Sequence, residues 1–237
     1  TWEDNTKVGE SAPLTNTFSI DNAAPKITAT VIDDNPLTYE LTKNEKVLIK
    51  YFSNAKASMT VEAQKGASID ESLYVIRNGS QYAYSADATF ENVENNESEF
   101  SATDSRGIPA TDKIELAMID YIKLTCNMAN NRPDGLGNMT VACTGNFFNA
   151  SFGAVTNTLN VQYRYAVSGT PLPEDWYDMK VTKNGNSYYA SADFVIEDYN
   201  QDLAYSFETR ATDKLDTVSS SDASVKSRPL FHWGESD

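Results

Sequence analysis

The sequence predicts an all-β protein, and three features support that prediction. Apolar or aromatic residues alternate with polar ones in many short runs, turn-forming residues separate the runs, and no long stretch has helical periodicity. One run, at residues 99–107, returns as a close variant at residues 205–213. Both copies contain Ala-Thr-Asp, which is typical of a half-buried strand that runs into a turn. The chain is therefore predicted to hold one β module twice.

The first module is predicted to span residues 24–118, after a linker or the end strand of a preceding domain over residues 1–23. Its start is Ala24-Pro25, because proline holds the preceding residue extended and suits the beginning of a strand. Asp33-Asp34-Asn35-Pro36 and Asn78-Gly79 predict turns. Alternation predicts strands at Ile27 to Val31, Val47 to Tyr51, Met59 to Ala63, Leu73 to Ile76, Tyr82 to Tyr84, Ala88 to Phe90, 99–104, and Ile114 to Leu116.

The second module is predicted to span residues 119–230. A loop rich in Asn, Pro and Gly covers residues 127–138, and Asn184-Gly185 predicts a tight turn. Gly145 and Gly153 are expected to belong to a long turn between two strands. Predicted strands include Ile122 to Cys126, Met139 to Cys143, Leu159 to Tyr165, and 205–212.

The spacing of the repeated features supports homologous modules. Asn184-Gly185 lies 106 residues after Asn78-Gly79, and Asp193 lies 106 residues after Asp87. Asp213 lies 109 residues after Asp104, so the intervening acidic loop is three residues longer in the second module. About seven short strands per module predict two tandem immunoglobulin-like or fibronectin-type β-sandwich domains.

The charge of the chain excludes some partners. A formal net charge of −15 would repel phosphate backbones, so no nucleic-acid partner is expected. No run of 18 or more apolar residues is present, so no membrane insertion is expected. The acidic composition instead favours solubility.

The two cysteines, Cys126 and Cys143, are predicted to lie on neighbouring strands. A disulfide between them is geometrically feasible, but one pair in a chain of 237 residues does not make a disulfide scaffold. Two buried free thiols are the favoured interpretation, because free cysteine is among the most often buried residue types.

The sequence contains no recognisable set of catalytic residues, so no enzyme activity, catalytic residue, metal or cofactor is predicted. The single histidine, His232, lies beyond the last predicted strand, away from any nucleophile. An acid pair such as Asp87 with Asp104 has a counterpart in the second module, which favours a structural role over glycoside hydrolysis. Calcium is a lesser alternative for acidic loop residues, namely Asp33, Asp34, Glu91, Glu94 and Glu97.

Aromatic residues are the candidate binding residues. Tyrosine and tryptophan rings stack on sugar rings, but alternation places about half of these residues in the core. The predicted saccharide contacts are Trp176, Tyr177, Tyr188 and Tyr189.

The second half of the chain resembles a known family. The residues that carry the resemblance are 140–159 (TVACTGNFFNASFGAVTNTL), 161–165 (VQYRY) and 228–235 (RPLFHWGE). They resemble minor structural tail proteins of siphoviruses that infect Gram-positive bacteria. The resemblance covers residues from about 120 to 237, whereas the first module is compatible with it but less distinctive.

The resemblance implies a virion component at the tail fibre or tail tip, assembled in the host cytoplasm. It further implies that residues 231–237 begin a following segment that is truncated. It also implies other phage tail proteins, and host cell-wall saccharide, as partners. The expected function is a non-enzymatic module that spaces or presents host-binding parts for host adhesion, and the isolated chain is expected to be a monomer. The alternative is a bacterial surface adhesin or a non-catalytic module of a secreted carbohydrate-active protein.

Overall fold

A computed structural model describes residues 23–77, 80–83, 88–130 and 133–226. Several predicted features lie outside these residues. They are the linker at 1–22, the Asn78-Gly79 turn, Tyr84, Asp87, and the closing segment 228–235 with His232.

The described residues form strands and one short helix. Ten elements lie before residue 120: β1 (Lys26–Asp33), α1 (Pro36–Thr42), β2 (Val47–Ile49), β3 (Ala55–Glu62), β4 (Ile69–Arg77), β5 (Ser80–Ala83), β6 (Ala88–Phe90), β7 (Glu97–Asp104), β8 (Pro109–Glu115) and β9 (Ala117–Ile119). Eight elements follow: β10 (Asn127–Asn130), β11 (Asn138–Asn146), β12 (Asn160–Val167), β13 (Tyr177–Asp178), β14 (Lys180–Asn184), β15 (Ser187–Val195), β16 (Ala204–Thr212) and β17 (Thr217–Lys226).

Strand order shows the same topology in both halves. In the second half the sheets have the orders β10-β11-β15-β14 and β13-β12-β16-β17, with antiparallel pairing throughout. In the first half two sheets have the orders β1-β3-β6 and β5-β4-β7-β8, which match those of the second half except for one edge strand, and β2 and β9 form an additional parallel two-stranded sheet. These are the strand orders of immunoglobulin-like sandwiches. The predicted fold class, all-β with two tandem immunoglobulin-like or fibronectin-type β-sandwich domains, is confirmed.

The repeated strand seen in the sequence has the same burial in both copies. In β7, Ser98, Phe100, Ala102 and Asp104 are buried, and every intervening residue is more exposed. In β16 the buried residues are Tyr205, Phe207, Thr209 and Ala211. Successive side chains of a strand point to opposite faces, so each copy turns one face to the interior.

The core of the second sandwich (residues 127–226) is built from both of its sheets. Val141, Cys143 and Ala190 contribute from one sheet, and Val161 and Ala211 contribute from the other. All five side chains are 0% exposed. Burial of this apolar surface, at about 25 cal/mol per Å², is what holds the two sheets together.

Tyr205 has the geometry of the tyrosine corner found in immunoglobulin-like sandwiches. It lies near the start of β16, and its hydroxyl accepts a hydrogen bond from the Asn200 backbone N–H at 2.9 Å. This bond fixes the turn that leads into β16, and its position relative to the strand is the one expected for that motif.

The turn predicted at residues 33–36 is the start of helix α1, which sequence periodicity missed. Asn35 caps the helix by accepting the Leu37 N–H at 3.0 Å, and Pro36 occupies the first turn, where a missing N–H costs nothing. The helix ends at Lys43, whose left-handed φ of 52° and N–H bond to the Tyr39 carbonyl close it. Seven residues are too few for a periodic signal.

Two further expectations are wrong. Ile122 to Cys126 do not form a ladder, and β10 instead occupies the start of the loop predicted at 127–138. Gly145 is not in a turn but inside β11, where an added Cβ would lie 1.9 Å from the Thr125 carbonyl oxygen. The approach of that backbone, rather than a turn, explains glycine here. The turn predicted at Asn184-Gly185 is confirmed between β14 and β15.

The described residues separate into two compact units. The first holds residues 23–29, 59–77, 80–83 and 99–113, and the second holds residues 30–58, 88–98, 114–130 and 133–226. The whole second sandwich lies in the second unit. The domain boundaries predicted from the sequence stay predictions. No helix in the described part of the chain has the length and apolar composition needed to span a bilayer.

Candidate binding surface

Trp176 lies against two arginine side chains of the second sandwich. The guanidinium carbons of Arg164 on β12 and Arg210 on β16 lie 4.3 and 4.1 Å from the centre of the indole ring. Both distances are within the range of cation–π attraction. Trp176 is half-buried and therefore presents only part of its surface to solvent.

A network of polar side chains fixes these two arginines. Arg164 forms an ion pair of 2.6 Å with Glu208, its direct neighbour across the β12–β16 ladder. Arg210 donates to Gln162 at 2.9 Å, and Gln162 donates to Asp178 at 2.8 Å. Arg164 also donates to the Pro173 carbonyl at 2.9 Å, which ties the loop before Trp176 to the sheet. These contacts hold the two guanidinium groups in fixed positions beside Trp176.

Tyr177 belongs to a row of aromatic rings that runs from the core to the edge of the sandwich. Its ring centre lies 5.4 Å from that of Tyr163, the residue opposite it across the β12–β13 ladder. Phe194 lies 4.8 Å from Tyr163 and 5.1 Å from Tyr165. The row ends in solvent, because Tyr177 is 50% exposed. Stacked rings hold Tyr177 in one orientation at this edge.

Tyr188 is not a surface residue, so its prediction as a saccharide contact is wrong. It is 4% exposed, its ring packs edge-on against Phe147, and its hydroxyl donates to the Thr125 carbonyl at 2.8 Å. Burial raises the pKa of this hydroxyl. Tyr189, the next residue on β15, points the other way and is 48% exposed. Trp176 and Tyr177 adjoin one sheet, and Tyr189 lies on the other.

Asp33 has a structural role instead of that of a calcium ligand. Its Oδ2 accepts the hydroxyls of Thr38 and Ser53 at 2.6 and 2.7 Å. Its Oδ1 accepts the backbone N–H groups of Asn35 and Asn54, each at 3.1 Å. Four protein donors thus occupy this buried carboxylate. The described residues contain no group of three acidic, histidine or cysteine side chains placed to hold a metal ion.

The aspartates at the ends of the repeated strand brace turns. Asp104 accepts the N–H groups of Arg106 and Ile108 at 2.9 and 3.1 Å and is ion-paired with the Arg106 guanidinium, which lowers its pKa. Asp213 accepts the N–H groups of Leu215 and Asp216 at 2.8 and 2.9 Å. The same role in both copies supports the structural interpretation of these acids.

A buried junction within the second compact unit was not predicted from the sequence. Leu41 of α1, Ile49 of β2, Tyr121 and Phe152 form one apolar cluster, which we call the junction core. The carbonyl of Leu41 accepts the N–H groups of Ala154 and Val155 of the loop before β12, each at 3.2 Å. Residues from both sides of the predicted boundary at 118 and 119 thus share one core.

Polar groups reinforce the junction core. The Tyr121 hydroxyl donates to Asp213 at 2.9 Å, and the Asn157 side chain donates to the same carboxylate oxygen at 3.0 Å. Asn157 also donates to the Phe148 carbonyl at 2.8 Å. Burial and the neighbouring Asp213 charge raise the pKa of Tyr121. Asp213 therefore braces its own turn and anchors the junction core.

The two cysteines lie side by side, Cys143 on β11 of the second sandwich and Cys126 one residue before β10. Their Sγ atoms are 2.9 Å apart, and both thiols are free. Cys143 is buried, as predicted, whereas Cys126 is partly exposed. Hydrogen bonds to Cys126, the strongest from Cys143, lower the pKa of the Cys126 thiol. The hydrogen bond with Cys126, together with burial, raises the pKa of the Cys143 thiol.

Comparisons with known proteins give no family. No protein-family model matches the chain, and no curated protein matches it. Among solved structures, the chain is similar to a chain in the crystal structure of Dpr2 Ig1-Ig2 in complex with DIP-Theta Ig1-Ig3, with 12% identity and a TM-score of 0.26. The match covers 86% of this chain and spans 64% of that chain's length. A likeness of this size says nothing about what this chain binds.

Proposed function

We propose that this chain is a non-enzymatic structural module of a phage tail, in the tail fibre or tail tip, that spaces or presents host-binding parts. The resemblance of residues 140–165 and 228–235 to siphovirus tail proteins supports this proposal. A structural observation within the same stretch supports it further. Residues 152–155, in the middle of the resembling segment, are the ones that pack and hydrogen-bond at the junction core.

A spacer must keep its parts at fixed positions under load. The junction core supports this role, because it combines apolar burial with directed hydrogen bonds. Phe152 is 0% exposed, and Tyr121 is 2% exposed with its hydroxyl bonded to Asp213. Opening the junction core would expose these rings and separate the Tyr121 hydroxyl from the Asp213 carboxylate, so these residues of the second unit stay packed together.

The location of the chain in a virion tests the main proposal. Particles of the phage whose genome encodes this chain are purified and digested, and their peptides are identified by mass spectrometry. We expect peptides of this chain, and immunogold labelling at one end of the tail. Virions without the chain would contradict the proposal. Labelling on the surface of bacterial cells instead would favour the adhesin alternative.

Saccharide contact is the second part of the proposal, with Trp176, Tyr177 and Tyr189 as the remaining candidates. The purified chain is incubated with host cell walls and with a glycan array. We expect binding that Trp176→Ala reduces about 2- to 13-fold, since loss of an aromatic stacking contact removes roughly 0.5–1.5 kcal/mol. Leu136→Ala is the matched control, because Leu136 is a 79% exposed apolar residue outside this surface. If the two variants bound host cell walls and glycans equally well, saccharide contact through Trp176 would be ruled out, and only the spacer role would be left.

A further inference from the structure

The cysteine pair has a geometry that neither the fold nor the proposed function requires. The Sγ atoms of Cys126 and Cys143 lie 2.9 Å apart, well inside the van der Waals contact distance of two sulfur atoms. Cys143 is on β11 in the centre of the core, and Cys126 immediately precedes β10. The two residues are 17 positions apart in the sequence. To form a disulfide bond of about 2.05 Å, the two sulfur atoms would have to move closer together by less than about 1 Å.

We propose that Cys126 and Cys143 are a disulfide-forming pair, and that oxidation ties the segment before β10 covalently to β11. The structure describes the reduced form of this pair. The bond would close a loop that contains β10 and the turn before β11, which limits the conformations of the unfolded chain. This inference does not depend on the phage assignment.

Exposure and acidity give the two thiols different roles. Cys126 is partly exposed, and hydrogen bonds from Cys143 and Thr209 lower the pKa of its thiol, so Cys126 is the more acidic of the two and the one that an external reagent meets. Cys143 is 0% exposed, and its sulfur lies against that of Cys126. Thr209 Oγ1 lies 3.4 Å from the Cys126 sulfur, and the Tyr188 hydroxyl lies 3.5 Å from the Cys143 sulfur. These hydroxyls hold both sulfur atoms in position.

The reaction is a thiol–disulfide exchange with a small-molecule disulfide such as oxidised glutathione. The Cys126 thiolate attacks one sulfur of the reagent, forms a mixed disulfide, and expels one glutathione thiolate with the electron pair of the broken bond. Cys143 then gives its proton to solvent, attacks the Cys126 sulfur, and expels the second thiolate. Counted from the two thiols, the cysteine pair loses two electrons and two protons in total, and the two expelled glutathione thiolates take up protons from solvent to give two molecules of reduced glutathione.

Two adjacent thiols could also bind a metal ion, which is the main alternative to disulfide formation. A structural zinc site takes four ligands from cysteine, histidine or acidic residues. No third side chain of these types joins the pair within the described residues. The groups that contact the sulfur atoms are hydroxyls of Thr209 and Tyr188, which suit hydrogen bonding rather than zinc. The arrangement therefore favours disulfide chemistry.

The test uses the purified, folded chain in oxidised or reduced glutathione. Free thiols are counted after denaturation, and tryptic peptides are mapped without reduction. We expect two free thiols in the reduced chain, none in the oxidised chain, and a cross-linked peptide pair that contains Cys126 and Cys143. The oxidised chain should also unfold at a higher urea concentration. Two free thiols after oxidation, stable mixed disulfides on the unaltered chain, or intermolecular dimers would each overturn the proposal.

Two single variants test the order of the steps. In Cys143→Ala, the mixed disulfide with glutathione should accumulate on Cys126, because no second thiol resolves it. In Cys126→Ala, the folded chain should take up no glutathione, because Cys143 is buried. Should Cys143 in Cys126→Ala react as quickly as Cys126 in Cys143→Ala, the assigned roles would be wrong. The measurement on the unaltered chain still decides the proposal if either variant fails to fold.

Discussion

Tyr121→Phe removes a single hydroxyl from the junction core and leaves its ring in place. The ring is 2% exposed and packs against Phe52 and Phe152, with ring centres 5.2 and 6.3 Å away. The hydroxyl donates to Asp213 at 2.9 Å. Because phenylalanine keeps the apolar packing, the variant isolates the hydrogen bond between Tyr121 and Asp213.

The expected cost follows from the acceptor and from its remaining partners. A hydrogen bond to a charged group contributes roughly 1.5–3 kcal/mol. Asn157 still donates to the same oxygen of Asp213 at 3.0 Å after the substitution, so the carboxylate is not stranded. We therefore expect the free energy of unfolding to fall by about 1.5–2 kcal/mol, near the lower limit. The midpoint of thermal unfolding should fall by about 3–8 °C in a chain of this size.

Urea unfolding, followed by circular dichroism and by tryptophan fluorescence, measures this change. Tyr177→Phe is the matched control, because it removes a hydroxyl from a tyrosine that is 50% exposed and should change stability by less than about 0.5 kcal/mol. If Tyr121→Phe changed stability no more than Tyr177→Phe, the hydrogen bond to Asp213 would not stabilise the junction. The junction core would then be held mainly by its apolar packing.

Three further predictions test the second sandwich. Gly145→Ala should destabilise the chain by about 1–3 kcal/mol in urea unfolding, because its Cβ would overlap the Thr125 carbonyl, whereas Gly135→Ala, with open space around it, should change little. Tyr205→Phe should cost about 1 kcal/mol, because the Asn200 N–H loses its acceptor. Burial raises the pKa of Tyr163 to about 12 and also raises that of Tyr188. Their contribution to stability should be complete below about pH 10 and be lost as the pH rises above it, which alkaline titration of tyrosinate absorbance alongside circular dichroism would measure.

Each of these predictions has a clear contrary result. Equal stability of Gly145→Ala and Gly135→Ala would mean that β11 moves away from Thr125 at no cost. An unchanged urea midpoint for Tyr205→Phe would remove the tyrosine corner as a stabilising contact. Ionisation of every tyrosine at its ordinary pKa in the folded chain would contradict the burial of Tyr163 and Tyr188.

Local pattern was enough to predict much of the fold. The alternation around Met139 to Cys143 and Leu159 to Tyr165 predicted β11 and β12, since period-two burial is a property of each strand by itself. The repeated Ala-Thr-Asp predicted two braced turns, because an aspartate caps the backbone N–H groups that follow it in the chain. The internal repeat then indicated two sandwiches.

The candidate surface could be predicted only in part. Alternation says that one of Tyr188 and Tyr189 faces inward, but it does not say which, because that depends on which face of β15 meets the other sheet. The arginine pair at Trp176 was also missed. Arg164 and Arg210 become neighbours only through the register of β12 against β16, which brings together residues far apart in the sequence.

The sequence by itself determined the all-β class, the duplication and the bracing role of Asp104 and Asp213, because strand periodicity and turn capping act over a few residues. Only the tertiary structure decided the junction core, in which Tyr121 meets Asp213, and the contact of the Cys126 and Cys143 sulfur atoms. Those contacts depend on how the strands and loops pack in three dimensions. No periodic pattern within one strand encodes the distance between side chains on different elements.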